Sequence, residues 1–187
     1  MKIQKANFKT VFLFRKISNF SKLKTLGYQI IEKCNITSDI AEVFIEHLKE
    51  QKKVTIPSIE KLKMSCTIVF CYADETLIGI GALKLNESLG FEKAGLNAIE
   101  GVFALELGYF YVNESFRNLG ISTTIARLLL IDKMNENILA TTELYFNNPM
   151  AKVLEKLGFR QYGNPWKSKW HDGMIGLFLK FKKGEVQ

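Results

Sequence analysis

The segment Leu107 to Leu130 reads LGYFYVNESFRNLGISTTIARLLL. Its β-rich start predicts a strand from Leu107 to Val112, its polar middle a turn from Asn113 to Phe116, and its later apolar spacing a helix from Ile121, with Arg117 and Gly120 in between. The first backbone N–H groups of a helix have no partner inside it, and the aligned peptide dipoles place about half a positive charge there. Gly120 lets an anion approach the main chain with no Cβ in the way, and Arg117 supplies a fork of donors suited to phosphate. Strand, glycine turn and helix start in that order make an anion site. Alone, Arg117 to Gly120 reads as an ordinary strand-to-helix connection bearing a solvated arginine.

A second segment, Thr141 to Phe159 (TTELYFNNPMAKVLEKLGF), supplies context. Asn148 before Pro149 is a helix start, an N-cap followed by the position at which a missing N–H costs nothing. Met150, Val153, Leu154 and Leu157 then share one face, and Gly158 ends the helix as a left-handed cap before Phe159 returns to the core.

Together these segments resemble the acyl-CoA site and the following β-α segment of the GNAT superfamily of N-acetyltransferases. That family's phosphate loop, R/Q-x-x-G-x-G/A, corresponds to Arg117, Asn118, Leu119, Gly120, Ile121 and Ser122, with serine in place of the final Gly or Ala. Its later signature is matched by Asn147 and by Lys156 to Phe159. The resemblance implies an α/β, GNAT-like acyl-CoA N-acyltransferase fold: a mixed, mostly antiparallel sheet flanked by helices and splayed between strands ending near Val112 and Phe146. It also implies acetyl-CoA as cofactor, with a β-bulge opening the sheet and the main chain at Tyr111 and Val112 bonding the pantetheine arm. Arg117 to Ser122 would hold the phosphates, and Asn147 would complete the site.

With 187 residues, 47% hydrophobic and 24% charged, the chain suits one domain with a sizeable core. The net charge of +7 is uneven. Met1 to Leu26 carries Lys2, Lys5, Lys9, Arg15, Lys16, Lys22 and Lys24 and no acid, so the excess sits in one arm. We therefore divide the chain into a basic extension, 1–26, and an acetyltransferase-like domain, 27–187. The arm could contact nucleic acid, an anionic surface or an acidic partner. It could equally form an extra strand with its lysines in water, burying part of Val11 to Phe14. No apolar run is long enough to span a bilayer or serve as a secretory core, so a cytoplasmic location is expected. Cys34, Cys66 and Cys71 are widely spaced, with no C-x-x-C pair, which argues against a zinc site or a disulfide framework. No metal is expected.

Elsewhere, Tyr28 to Lys33 predicts a strand and Thr37 or Ser38 a helix cap. Ile40, Val43, Phe44, His47 and Leu48 predict that helix's apolar face, on which His47 reads as a helix residue rather than a catalyst. Pro57 predicts the opening of a second helix. Cys66 to Tyr72 and Leu77 to Leu85 predict a hairpin about Ala73 to Thr76. Asn86 to Val102 reads as a long loop bordering the acceptor, and Ile138 to Phe146 as a strand. Arg160 to Lys182 predicts two strands around a loop, Asn164 to Gly173, whose Trp166 and Trp170 either wall a pocket or pack in the core.

The function implied by the resemblance is transfer of an acyl group from acetyl-CoA to a primary amine, on a small molecule or a peptide, by direct attack in a ternary complex. The carbonyl would face a backbone N–H near Val112. Glu106, six residues before Val112, matches a glutamate that some members use as a base; a carboxylate stripped of water inside the sheet would take up a proton more readily. The other reading is a surface-facing strand residue. The family's proton-donating tyrosine is replaced by Leu154, so Tyr145, Tyr109, Tyr111, His171 or water would protonate the thiolate, and we assign Tyr145. The alternative function is an acyl-CoA-binding GNAT-fold protein that acts on or binds nucleic acid through its basic arm, with or without acetyltransferase activity. A dimer is compatible with the sequence.

Overall fold

Strands with apolar residues on both faces need helices to cover them, and this chain supplies strands and helices in alternation. The computed structural model describes residues 15–17, 24–52, 54–87, 89–169 and 171–184. The first elements are strands β1 (Arg15–Ile17) and β2 (Lys24–Ile31), helices α1 (Ser38–Lys49) and α2 (Ile59–Ser65), and strands β3 (Cys66–Ala73) and β4 (Thr76–Leu85). Next come α3 (Gly90–Ala94), β5 (Leu105–Val112), α4 (Ile121–Leu130), β6 (Ile138–Leu144), α5 (Pro149–Lys156), β7 (Arg160–Lys167) and β8 (Met174–Lys180). The strand order is β1-β2-β3-β4-β5-β6-β8-β7. Pairings β1–β2, β2–β3, β6–β8 and β7–β8 are antiparallel and β5–β6 is parallel, giving the mixed, mostly antiparallel sheet expected.

The chain divides into two compact units. The first holds Tyr109–Leu129 and the described residues up to Ala82. Its core gathers Ile31, Phe44, Leu48, Leu62, Ile68, Phe70 and Ile80, with Tyr109 and Tyr111 packed against them. Phe44 stacks on Phe70 at 6.1 Å and meets Tyr109 edge-on at 6.4 Å. Thr37 caps α1, accepting from the Ile40 N–H at 3.3 Å. His47 is half-buried, its Nδ1 3.0 Å from Val43 O, as expected of a helix residue. Burial pushes the Cys71 thiol up to about 11, against the lowering effect of a hydrogen bond with Tyr28, so it is an inert core group. β4 bears on α4 through Gly81, where an added Cβ would lie 2.6 Å from Ile125 Cγ2.

The second unit holds Leu83–Gly108 and the described residues from Leu130 onward. Phe91, Ala94, Phe103, Leu139, Leu177 and Leu179 form its core, and Tyr162, Trp166 and Phe181 pack on it. β6 and β8 pair from Ile138↔Lys180 to Leu144↔Met174.

Several expectations need correcting. Of the basic extension, Arg15–Ile17 forms β1, which pairs with β2 from Leu26↔Arg15 to Lys24↔Ile17. Residues 1–14 and 18–23, most of the arm expected to meet nucleic acid, lie outside the described residues. α2 is opened by Ser58 rather than Pro57: the Lys61 N–H meets Ser58 Oγ at 3.2 Å. Asn86 to Val102 is not a plain loop, because Phe91 and Ala94 anchor α3 and a 3-10 turn follows at Asn97–Val102. β6 stops at Leu144, before Phe146. β7 continues through Trp166 across a bulge between Tyr162 and Trp166, so the connection to β8 is shorter than Asn164 to Gly173. Trp166 is a packing residue, and Trp170 lies outside the described residues.

The bulge turns on Gly163, at φ +65°, where a Cβ would sit 2.4 Å from the Ala94 carbonyl oxygen. Left-handed strain and overpacking against backbone add up to about 2 kcal/mol or more. Gly163→Ala should lower the urea midpoint accordingly; an unchanged midpoint would remove this close approach from the account.

Candidate functional site

Asn113 ends β5 and starts the turn that leads to α4. Its N–H donates to Ile78 O at 2.8 Å, and its side chain accepts from the Ser115 N–H at 3.1 Å. A 3-10 turn, Glu114–Phe116, follows, then Asn118 at φ +65° and Gly120 at φ +77°. Left-handed backbone favours glycine and tolerates asparagine, which gives Gly120 a second reason beyond the missing Cβ. The Thr124 N–H bonds to Gly120 O at 3.0 Å as the helical ladder starts, so the N–H groups of Ile121, Ser122 and Thr123 lie in the first turn ahead of it. These are the donors that could hold a phosphate-bearing cofactor.

Arg117 does not stand as a bare fork. Its Nη1 lies 3.0 Å from Glu114 Oε1 and its Nε donates to Val112 O at 3.4 Å. The pair is exposed, so separating Arg117 from Glu114 would cost about 1 kcal/mol or less. The irregularity of β5 is at Tyr109, φ +56°, three residues earlier than the bulge expected near Val112. A non-glycine residue held there stores strain, a feature common at functional sites. The Tyr111 side chain packs on the core, and Val112 is half-buried.

In the second unit, Glu106 is 7% exposed on β5, which excludes the surface-facing reading. It is not a carboxylate alone in the sheet, however: Lys84 Nζ from β4, itself 9% exposed, donates to Glu106 Oε2. The cation offsets the cost of burying the anion. Leu139 stands opposite Glu106 across the β5–β6 ladder. Lys84 was missed in the sequence, although a lysine within the buried run Ala82-Leu83-Lys84 was a signal that a charge had to be met inside.

Past β6, Tyr145 is 56% exposed and Phe146 91%. Asn147, at φ +61°, accepts from Lys152 Nζ at 2.9 Å and faces solvent. Its neighbour Asn148 is the buried clamp: Oδ1 accepts from the Met150 N–H at 2.8 Å and Nδ2 donates to Glu143 O. Leu154, where the family places a tyrosine, is fully buried. His171 is engaged on both ring nitrogens. Nδ1 accepts from the Gly173 N–H at 2.9 Å, and Nε2 lies 2.6 Å from Glu143 Oε1, so the proton belongs on Nε2. Glu143 carried no sequence signal, since a glutamate in a half-exposed strand is ordinary.

A model of the acetyltransferase (GNAT) family matches residues 33–159. The chain belongs to the GNAT acetyltransferases. Solved structures of similar fold include Arabidopsis thaliana NAA60 with acetyl-CoA, 15% identical at TM-score 0.61, covering 86% of this chain and 100% of that one. YncA from Salmonella typhimurium, a putative acetyltransferase solved with acetyl-CoA, is 10% identical at TM-score 0.58, covering 87% and 96%. No curated protein sequence matches the chain. Among the described residues of this GNAT protein, no His, Cys, Asp and Glu group is placed to hold a metal, and no helix is long and apolar enough to cross a membrane.

The adjacent asparagines, Asn147 and Asn148, separate by experiment. Asn148→Ala removes a cap and a strand contact and should cost about 1–2 kcal/mol in chemical denaturation. Asn147→Gly, which keeps the left-handed turn, should cost about 0.5 kcal/mol or less. Equal costs would contradict the division of roles.

Proposed function

We propose that this GNAT protein transfers an acetyl group from acetyl-CoA to a primary amine by direct attack within a ternary complex. The observation that carries the reading is the turn through Asn118 and Gly120, whose left-handed residues present the first N–H groups of α4. Acetyl-CoA in the NAA60 and YncA structures supports the choice of donor.

The N–H groups from Gly120 to Thr123, with Asn118 and Leu119 in the loop and Arg117 released from Glu114, would bind the diphosphate. The main chain of Tyr111 and Val112 and the side chain of Asn147 are assigned to the rest of the cofactor. Acetyl-CoA supplies an activated acetyl group: the C–N bond forms as the C–S bond breaks, the thiolate leaves as thiol, and one proton is released overall. Glu106 accepts the proton that an ammonium must lose before its nitrogen becomes a nucleophile. Tyr145, whose ring reaches solvent, is assigned the proton for the leaving sulfur. A covalent acyl-enzyme is not required, so no cysteine or serine nucleophile is assigned.

The direct test is transfer of labelled acetyl from acetyl-CoA to peptides with a free α-amine, lysine side chains, polyamines and charged tRNA. Glu106→Gln should lower kcat about 100-fold at neutral pH with acetyl-CoA affinity unchanged. A variant as fast as wild type at every pH removes Glu106 from the mechanism.

A further inference from the structure

The amine chemistry above asks for more than a carboxylate at position 106, because a proton acceptor works only along the direction in which its lone pair points. The buried neighbourhood of Glu106 fixes that direction. Lys84 Nζ holds Oε2, and both residues are buried, so the carboxylate cannot rotate without breaking a charge-assisted bond inside the protein. The second oxygen, Oε1, lies beside Gly108, two residues along the same strand. A Cβ built on Gly108 would meet Glu106 Oε1 at 3.9 Å and Lys84 Cε at 3.6 Å, and these are its nearest neighbours. Both distances are ordinary van der Waals contacts, and Gly108 is not in the left-handed region. Neither close packing nor backbone conformation therefore requires glycine there.

We infer that Lys84 is the positioning residue for Glu106, and that Gly108 is kept without a side chain so that the acceptor amine can reach Glu106 Oε1. The inference rests on the acyl-transfer reading and extends it to two residues that neither the family match nor the motif spacing marks. The proton moves from the amine nitrogen to Oε1, while Oε2 stays bonded to the Lys84 ammonium, which gives up no proton. Lys84 is the charged group facing Glu106 from β4, and Leu139 opposite on β6 adds none. A structural alternative, in which Lys84 merely neutralises a buried acid, predicts effects on folding and none on the geometry of proton transfer.

The Gly108 series separates the two, using whichever peptide amine or polyamine the wild type acetylates fastest. Gly108→Ala and Gly108→Val should melt within a few degrees of wild type and bind acetyl-CoA with unchanged affinity by calorimetry. Their kcat/KM for the amine should fall about tenfold and then further as the side chain grows. Full kcat/KM in Gly108→Val overturns the opening. For Lys84, the Lys84→Met/Glu106→Gln double variant contains no unpaired buried charge, so it serves as the folded reference. The losses should not multiply: the double variant should be no slower than Glu106→Gln alone, and Lys84→Arg should keep the wild-type shape of the pH–rate profile that Lys84→Met alters. Multiplicative losses overturn the positioning role. A wild type that acetylates none of these amines defeats the function reading itself, whereas an active wild type with an equally active Gly108→Val defeats this inference alone.

Discussion

A helix must begin somewhere, and where it begins its first backbone N–H groups point away from its own carbonyls. Much of this chain's architecture serves to place one such beginning. Asn113 ties the end of β5 to Ile78, a short 3-10 turn follows, and left-handed residues at 118 and 120 turn the backbone so that α4 starts at Ile121. Glycine at position 81 leaves room for the Ile125 side chain to pack directly on the backbone of β4. Glu114 occupies Arg117 from the solvent side, a weak bond that an anion can replace. The site is thus built mainly from main chain, and side chains modulate it.

The proposed chemistry rests on a different kind of interaction. A carboxylate buried without a partner would cost several kcal/mol; Lys84 supplies the opposite charge, and one carboxylate oxygen is left beside a residue with no side chain. Burial excludes water and the lysine fixes orientation. Leu154 is fully buried and belongs to the core, so in the proposed mechanism the proton for the leaving sulfur is assigned to a group outside it.

What could be read in advance divides along the range of the forces involved. Asn148, Pro149 and Gly158 act on atoms within a helical turn, so their residue types alone announced a capped helix with a left-handed end at φ +88°. Gly120 announced its turn in the same way. The α3 helix, Gly90–Ala94, is too short to show a period, and its stability comes from burying Phe91 and Ala94 against distant strands. Tyr109 gave no sign of its positive φ because tyrosine usually avoids that region, and tertiary packing against Phe44 holds it there. Lys84 and Glu106 are 22 residues apart, and Glu143 meets His171 across an intervening helix and strand. Pairings of that kind depend on the sheet and carry no local spacing.

The central claim is that the main chain at the start of α4 receives the diphosphate of acetyl-CoA. Backbone amide hydrogen exchange, followed peptide by peptide as acetyl-CoA is added to saturation, tests it most directly. Exchange should slow across Asn118 to Thr124, with little change in α5. Saturation that leaves Asn118 to Thr124 exchanging as in the free protein would contradict the account.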